Sequence, residues 1–435
     1  MKKQMNVGTA GGNAVSRKSR WSWYAYDFGN SAYASVVLLA VYSAFFKNVV
    51  VGGAEGTRLW GISVAIAAVI VAVISPVLGT VADFTQSKKK FLTAFSLIAI
   101  FFTASLFFVR EGDVLQGMVF FILAETGYRG AQVFYDALLV DVSTPETIGS
   151  VSGKGWAFGM IGGVVALLLV LAPIQLIGNQ VIPFAFLMTA AIYLIAAVPT
   201  ILWTVEHHHG ERPAPGTNLF VMAFRNLLGT FRAVKKYKEF LKYMMAFLIY
   251  NDGIMMLMDF AAIIGATLYG MGQVQLIVFV IIIHISGTFG ALFFGRFSDR
   301  KSSKEAIALS LFLLTLSVTC LYFIHAIQLF FVVGIFVGFF LTGAQAISRA
   351  MVSQLAPPGK TTEFYGFLSV AGRTSTFVGP LVFGTISFRA HNWYVNHGYA
   401  SLESEQFGLM WAIGSILLFL VVGLMFLLFV KKEKA

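Results

Sequence analysis

Cysteine occurs once in this chain, at Cys320 inside an apolar run, so neither a disulfide framework nor a thiolate metal site can be built. Charge is scarce as well. Only 12% of the 435 residues are Asp, Glu, Lys or Arg, against roughly 25% in an ordinary soluble domain, while 58% are hydrophobic. No Gly-rich loop ending in Lys-Ser/Thr is present, which leaves ATP-driven pumping by this chain without support. The first twenty residues are polar and basic and lack an apolar stretch; they read as a cytoplasmic tail and not as a cleaved signal peptide. His207, His208 and His209 stand together, but no carboxylate or cysteine constellation accompanies them. A solvated linker is therefore favoured over a metal site, and neither metal nor cofactor is expected.

What the chain does have is long apolar runs. Each spans about 18 to 25 residues, enough for a helix to cross a hydrocarbon layer of about 30 Å. Backbone polar groups in lipid need internal partners, and continuous runs fit helices, whereas a membrane barrel would show short alternating segments. Twelve segments are expected: 21–46, 59–82, 91–109, 114–139, 151–172 and 180–203, then 239–268, 273–297, 305–324, 327–352, 363–388 and 407–430. This divides the chain into a tail (1–20), a six-helix bundle (21–203), a linker (204–238), a second bundle (239–430) and a short tail (431–435). Residues 219–238 in the linker have the apolar and basic pattern of an amphipathic interfacial helix.

The two halves echo one another. Gly130, Ala131, Gln132, Ala137, Pro145, Gly153 and Gly159 recur 213 positions later as Gly343, Ala344, Gln345, Ala350, Pro358, Gly366 and Gly372. A second signature, Gly79-x-x-x-Asp83, returns as Gly295-x-x-x-Asp299 at an offset of 216. Internal duplication is a common plan of secondary transporters. With both termini on one side, 26 of the 31 Lys and Arg residues fall on that side, and by the positive-inside rule it is the cytoplasm. The net charge of +11 thus reports topology, with attraction to anionic lipid heads as a further consequence, and nucleic-acid binding is not expected.

The paired loop signature, Gly295 to Asp299 with Arg300 and Lys301 behind it, resembles the cytoplasmic motif of the major facilitator superfamily. There it helps to latch one bundle against the other. In the first copy Phe84 stands where an arginine is expected, and simple helix capping by Asp83 or Asp299 is an alternative role. Three further stretches narrow the resemblance: Ala25-Tyr26-Asp27-Phe28-Gly29-Asn30-Ser31-Ala32-Tyr33, Val151 through Gly163, and Glu363-Phe364-Tyr365-Gly366 through Gly379-Pro380. Together they resemble the vacuole-effluxer-like family, whose yeast member is associated with amino-acid release from the vacuole during autophagy. The resemblance spans the chain. It implies a twelve-helix fold and transport, and it points to amino acids as cargo more weakly. Phe28-Gly29 departs from the family's usual Trp-Ala pair.

Charges inside membrane helices are costly and normally face a cavity or a partner. The candidate substrate or proton pathway is Asp27, Asn30 and Tyr33 in the first run, Glu125 and Arg129 in the fourth, and Asn251, Asp252 and Asp259 in the seventh. Asp27 and Asn30 share a helix face, beside Gly29, which permits a local break. Glu125 and Arg129, four apart, suit either a structural ion pair or a substrate role. Asp252 is the plausible counterpart of Asp27 in the duplicated plan, with a longer outer loop at Gly52 to Gly56 absorbing the difference in spacing. His284 is expected to pack or hydrogen-bond rather than to titrate. The candidate cytoplasmic gate is Gly79, Asp83, Asp136, Gly295, Asp299, Arg300 and Arg349; Asp136 and Arg349 carry opposite charges at equivalent positions of the two halves. Gly379-Pro380 is a candidate bend for rocking.

The expected protein is an all-α membrane carrier in two pseudo-symmetric bundles, acting as a monomer. It moves a small polar solute, amino acids or related zwitterions, by alternating access. Proton coupling is favoured by the membrane carboxylates Asp27, Asp252, Asp259 and Glu125, with sodium coupling left as the alternative. A lipid flippase or a peptide or peptidoglycan-fragment carrier on the same fold is the main rival. An integral-membrane enzyme is disfavoured for want of a catalytic constellation.

Overall fold

The computed structural model describes residues 16–144, 148–206, 237–355, 372 and 376–431. Among them the chain forms twelve long helices: α1 (Arg17–Val51), α2 (Gly53–Thr85), α3 (Lys88–Ser105), α4 (Val114–Ala137), α5 (Ile148–Ile177), α6 (Ile182–Trp203), α7 (Lys238–Tyr269), α8 (Gln273–Arg300), α9 (Ser303–Cys320), α10 (Ile327–Leu355), α11 (Val378–Asn396) and α12 (Ser401–Leu428). Ten are long and apolar enough to cross a membrane by length and composition. The other two, α4 and the described part of α11, carry more polar residues: Glu125, Arg129 and Asp136 in one, Arg389, His391 and Asn392 in the other.

Duplication is visible in the packing. In the first half α3 packs on α4, α1 on α6, and α2 on α4; in the second, α9 packs on α10, α7 on α12, and α8 on α10. These are the same pairs six helices on. The bundles then meet through α2 with α11 and α5 with α8, again equivalent pairs. Gly159 and Gly372, one of the repeated pairs, play matching parts. A Cβ on Gly159 would strike Asp27 and Ser31 of α1, and one on Gly372 would strike the Phe247 ring of α7.

Several local expectations need correction. The segment Gly52 to Gly56 is no loop: α1 runs on to Val51, the chain turns at Gly52 (φ +85°), and α2 starts at Gly53. Gly56 is used for packing, since a Cβ there would meet the Lys47 backbone. Nor does Gly29 break α1, because it seats against Tyr193 and Ala196 of α6 inside continuous helix. The irregularity lies further on, where Ala34–Ala40 and Phe46–Val51 are wound as wider π turns, a form common at functional sites. Asp299 is no N-cap, for α8 runs through it, and Ser302 caps α9 by accepting from the Glu305 amide at 3.2 Å. Asp83 likewise lies within α2, and Ser87 stands before α3. Pro380 sits in the first turn of the described part of α11, where a missing N–H costs nothing. The preceding part of the expected 363–388 run, on which a bend at Gly379-Pro380 depends, lies mostly outside the described residues. The linker from 207 to 236, with the three histidines and most of the expected interfacial helix, lies outside the described residues, as do Pro145, Pro358 and Gly366.

Candidate functional site between the bundles

Four ionisable residues gather midway along α4 and α7, where the bundles face each other. Their spacing does the gathering. Glu125 and Arg129 stand one turn apart on α4, and the Arg129 Nε donates to Glu125 Oε1. Arg129 also reaches across to the second bundle, where its guanidinium donates to Thr376 Oγ1 at 3.0 Å, just before α11. Asp252 and Asp259 stand two turns apart on α7, both within electrostatic reach of Arg129 and of each other.

The partners run short. Asp252 Oδ2 accepts from the Gly379 amide at 3.3 Å, but its Oδ1 has no hydrogen-bond partner, and neither do Asp259 Oδ2 and Glu125 Oε2. Glu125 is 0% exposed, Asp259 3% and Asp252 4%, so water does not reach these oxygens as it would at a surface. Tyr33, stacked on Tyr128 at 4.6 Å, places its hydroxyl beside the Glu125 carboxylate without the geometry of a hydrogen bond. Asn251 Nδ2 donates to the Gly372 carbonyl at a long 3.5 Å. A carboxylate this deep normally has its lone pairs filled. The cluster is built for something more than its own residues.

Asp27 and Asn30 belong to another neighbourhood. Asp27 lies on the Gly159 face of α5, whereas Asn30 turns to α6 and accepts from the Tyr193 hydroxyl at 3.4 Å. Tyr193 in turn bonds Tyr26, which bonds Ser96, a polar chain internal to the first bundle. Asp252, the expected counterpart of Asp27 in the duplicated plan, faces α11 through the Gly379 amide. His284 is a bonded packing residue: its Nδ1 faces the Val280 carbonyl at 2.9 Å and its Nε2 lies 3.3 Å from Ser35 Oγ, linking α8 to the π-wound part of α1.

Of the gate residues, Gly79 and Gly295 sit in open space, Asp299 and Arg300 are exposed, and Asp136 is half-buried. The side chains of Asp83 and Arg349 lie outside the described residues, and with them the Asp136–Arg349 pairing. Among the described residues, the contacts that tie the bundles are at mid-height or at the end away from both termini. Lys47 Nζ pairs with Glu405 Oε1 at 2.6 Å between α1 and α12, both nearly buried. Gln273 donates to the Ala40 carbonyl at 2.7 Å, and Trp60 Nε1 donates to the Asp259 carbonyl at 2.8 Å. Gly61 of α2 lies against the Pro380 carbonyl, and Gly384 of α11 against the Arg58 backbone. Sequence reasoning missed all of these. Lys47 and Glu405 alone left a signal, being opposite charges at helix ends on the same side of a twelve-helix plan.

Two bundles of repeated helices, meeting around a buried charge cluster, define a major facilitator transporter, a multi-pass integral membrane protein and not an enzyme. The fold is similar to a bacterial homologue of the human lysosomal transporter Spinster, in an inward-facing and unoccupied conformation, with TM-score 0.67, 11% identity, and 96% and 97% of the two chains covered. It is similar too to the nucleoside transporter NupG, with TM-score 0.68, 15% identity and coverage of 94% and 99%. The chain belongs to the vacuole effluxer Atg22-like family, which it matches over residues 15–147 and 141–435. Among relatives, the uncharacterized MFS-type transporter YxiO of Bacillus subtilis (strain 168) is 27% identical, over 96% of this chain and 95% of that one. Autophagy-related protein 22 of Saccharomyces cerevisiae (strain ATCC 204508 / S288c) is 21% identical over 84% and 75%.

Proposed function

We propose that this carrier exports a small polar solute, an amino acid or related zwitterion, by proton-coupled alternating access. The observation that carries the reading is the cluster of Glu125, Arg129, Asp252 and Asp259, because its charges belong to both bundles and one oxygen of each carboxylate is unfilled. A solute held there is touched by both halves at once, which is what alternating access requires of a midplane site. The bundles rock as units, about 21–203 against 239–430. The contacts from Lys47–Glu405 to Gly384–Arg58 hold the bundles together at the end away from the termini. By the charge bias those termini are cytoplasmic, and the bacterial relative suggests the cell membrane. Amino acids as cargo rest on the family likeness and on the fit of a cationic amine to aspartates.

The test is transport into proteoliposomes of a labelled amino-acid panel, with and without a pH gradient, for wild type and Asp259→Asn. Gradient-dependent movement of at least one amino acid, lost in the variant, is expected. Movement of none of them would reject the cargo.

A further inference from the structure

The central cluster holds three carboxylates against one guanidinium. Glu125 and Arg129 match each other on α4, which leaves Asp252 and Asp259 with a share of one arginine and a single backbone N–H between them. Two further negative charges at this depth cost more than the remaining contacts return, so the cluster needs cations from outside the chain. No other described side chain supplies one. The groups that reach Asp252 and Asp259 are each other, Glu125 and Arg129 from α4, and the Gly379 amide from α11. The Thr376 hydroxyl is held by Arg129, and the Tyr33 hydroxyl of α1 stands by Glu125. The lysine of α1 nearest the far end, Lys47, is already matched by Glu405 of α12.

We propose that the ammonium group of the cargo and the coupling proton take the same seat, the unpartnered oxygens Asp252 Oδ1 and Asp259 Oδ2, so that loading one expels the other. The inference rests on the cluster being the transport site. In the carrier without cargo, a proton on one of these oxygens lowers the uncompensated charge. An alkylammonium brings one positive charge and three N–H donors, and it replaces a proton without changing the charge of the cluster. Both aspartates are on α7, and the face they share carries cargo or proton from one side to the other as the bundles rock. Exchange follows: amine leaves the cell as a proton enters.

The experiment uses the full chain in detergent, in weak buffer with a pH-reporting dye. The probes are the twenty common amino acids, 3-methylbutylamine (leucine without its carboxylate) and 4-methylpentanoate (leucine without its amine). Binding is followed in parallel by calorimetry. Expected is proton release on binding of amines, none with 4-methylpentanoate, and loss of the release in Asp252→Asn and Asp259→Asn. Wild type alone supplies a second readout: amine affinity rises with pH, by up to tenfold per unit for each proton exchanged. Binding of an amino acid without proton release, with pH-independent affinity, or by 4-methylpentanoate as well as by the amine overturns shared seating and leaves the transport reading intact. No binding by any probe overturns both.

Discussion

At the residue scale the decisive group is Arg129. It is the one cation of the cluster, bonded within its own bundle to Glu125 and across to Thr376. Removing one member of a buried ion pair typically costs about 3–5 kcal/mol, because the survivor is left charged and dry, whereas replacing both is far milder. Arg129→Gln is therefore expected to lower the thermal unfolding temperature of the purified carrier well below that of Glu125→Gln/Arg129→Gln. Equal stability in the two variants would show that the pair has no structural part. The pair itself was legible in the sequence, since a four-residue spacing puts two side chains on one helix face. Its bonds to Thr376 and its proximity to Asp259 were not, because contacts across bundles follow no period along the chain. For the same reason Asn30 read as a pathway residue. Its polarity was visible, but nothing in the sequence says that the Tyr193 hydroxyl donates to its Oδ1.

At the element scale, glycine sets helix contact in some places and stands in open space in others, and the two can be compared. A Cβ on Gly162 of α5 would lie 2.6 Å from the Phe28 Cα and 2.7 Å from its carbonyl carbon, backbone atoms that cannot rotate away. Gly162→Ala is expected to destabilise by roughly 1–3 kcal/mol through overpacking of α1 on α5. Gly295 of α8 has nothing within 4 Å of its Cβ position, so Gly295→Ala is expected to keep or slightly raise stability. A fall in transport rate without a fall in unfolding temperature at Gly295 would assign that loop signature to the motion. Unfolding curves and initial transport rates for both variants make the comparison. Helix number was readable because apolar runs of membrane length have few other uses. Their ends were less so. The glycines at 52–56 looked like a loop but make a tight turn at Gly52 and, through Gly56, a close approach to the Lys47 backbone. The π turns of α1 have no compositional mark.

At the scale of the whole molecule, the two halves repeat their helix pairings and meet through equivalent helices, α2 with α11 and α5 with α8. That symmetry is what the 213-residue echo in the sequence foreshadowed. The bundles are tied at the end away from the termini by Lys47–Glu405 and the Gln273–Ala40 hydrogen bond, and beside the charge cluster by the Trp60–Asp259 hydrogen bond. If transport requires the bundles to part at that end, a tether there must stop it. The measurement replaces the lone Cys320 by serine, introduces Lys47→Cys and Glu405→Cys together, and joins them with a short reducible bifunctional thiol reagent in proteoliposomes. Cargo flux is expected to cease on cross-linking and to return on reduction, while each single-cysteine variant treated alike keeps its flux. Undiminished flux through the fully cross-linked carrier would contradict alternating access in this protein.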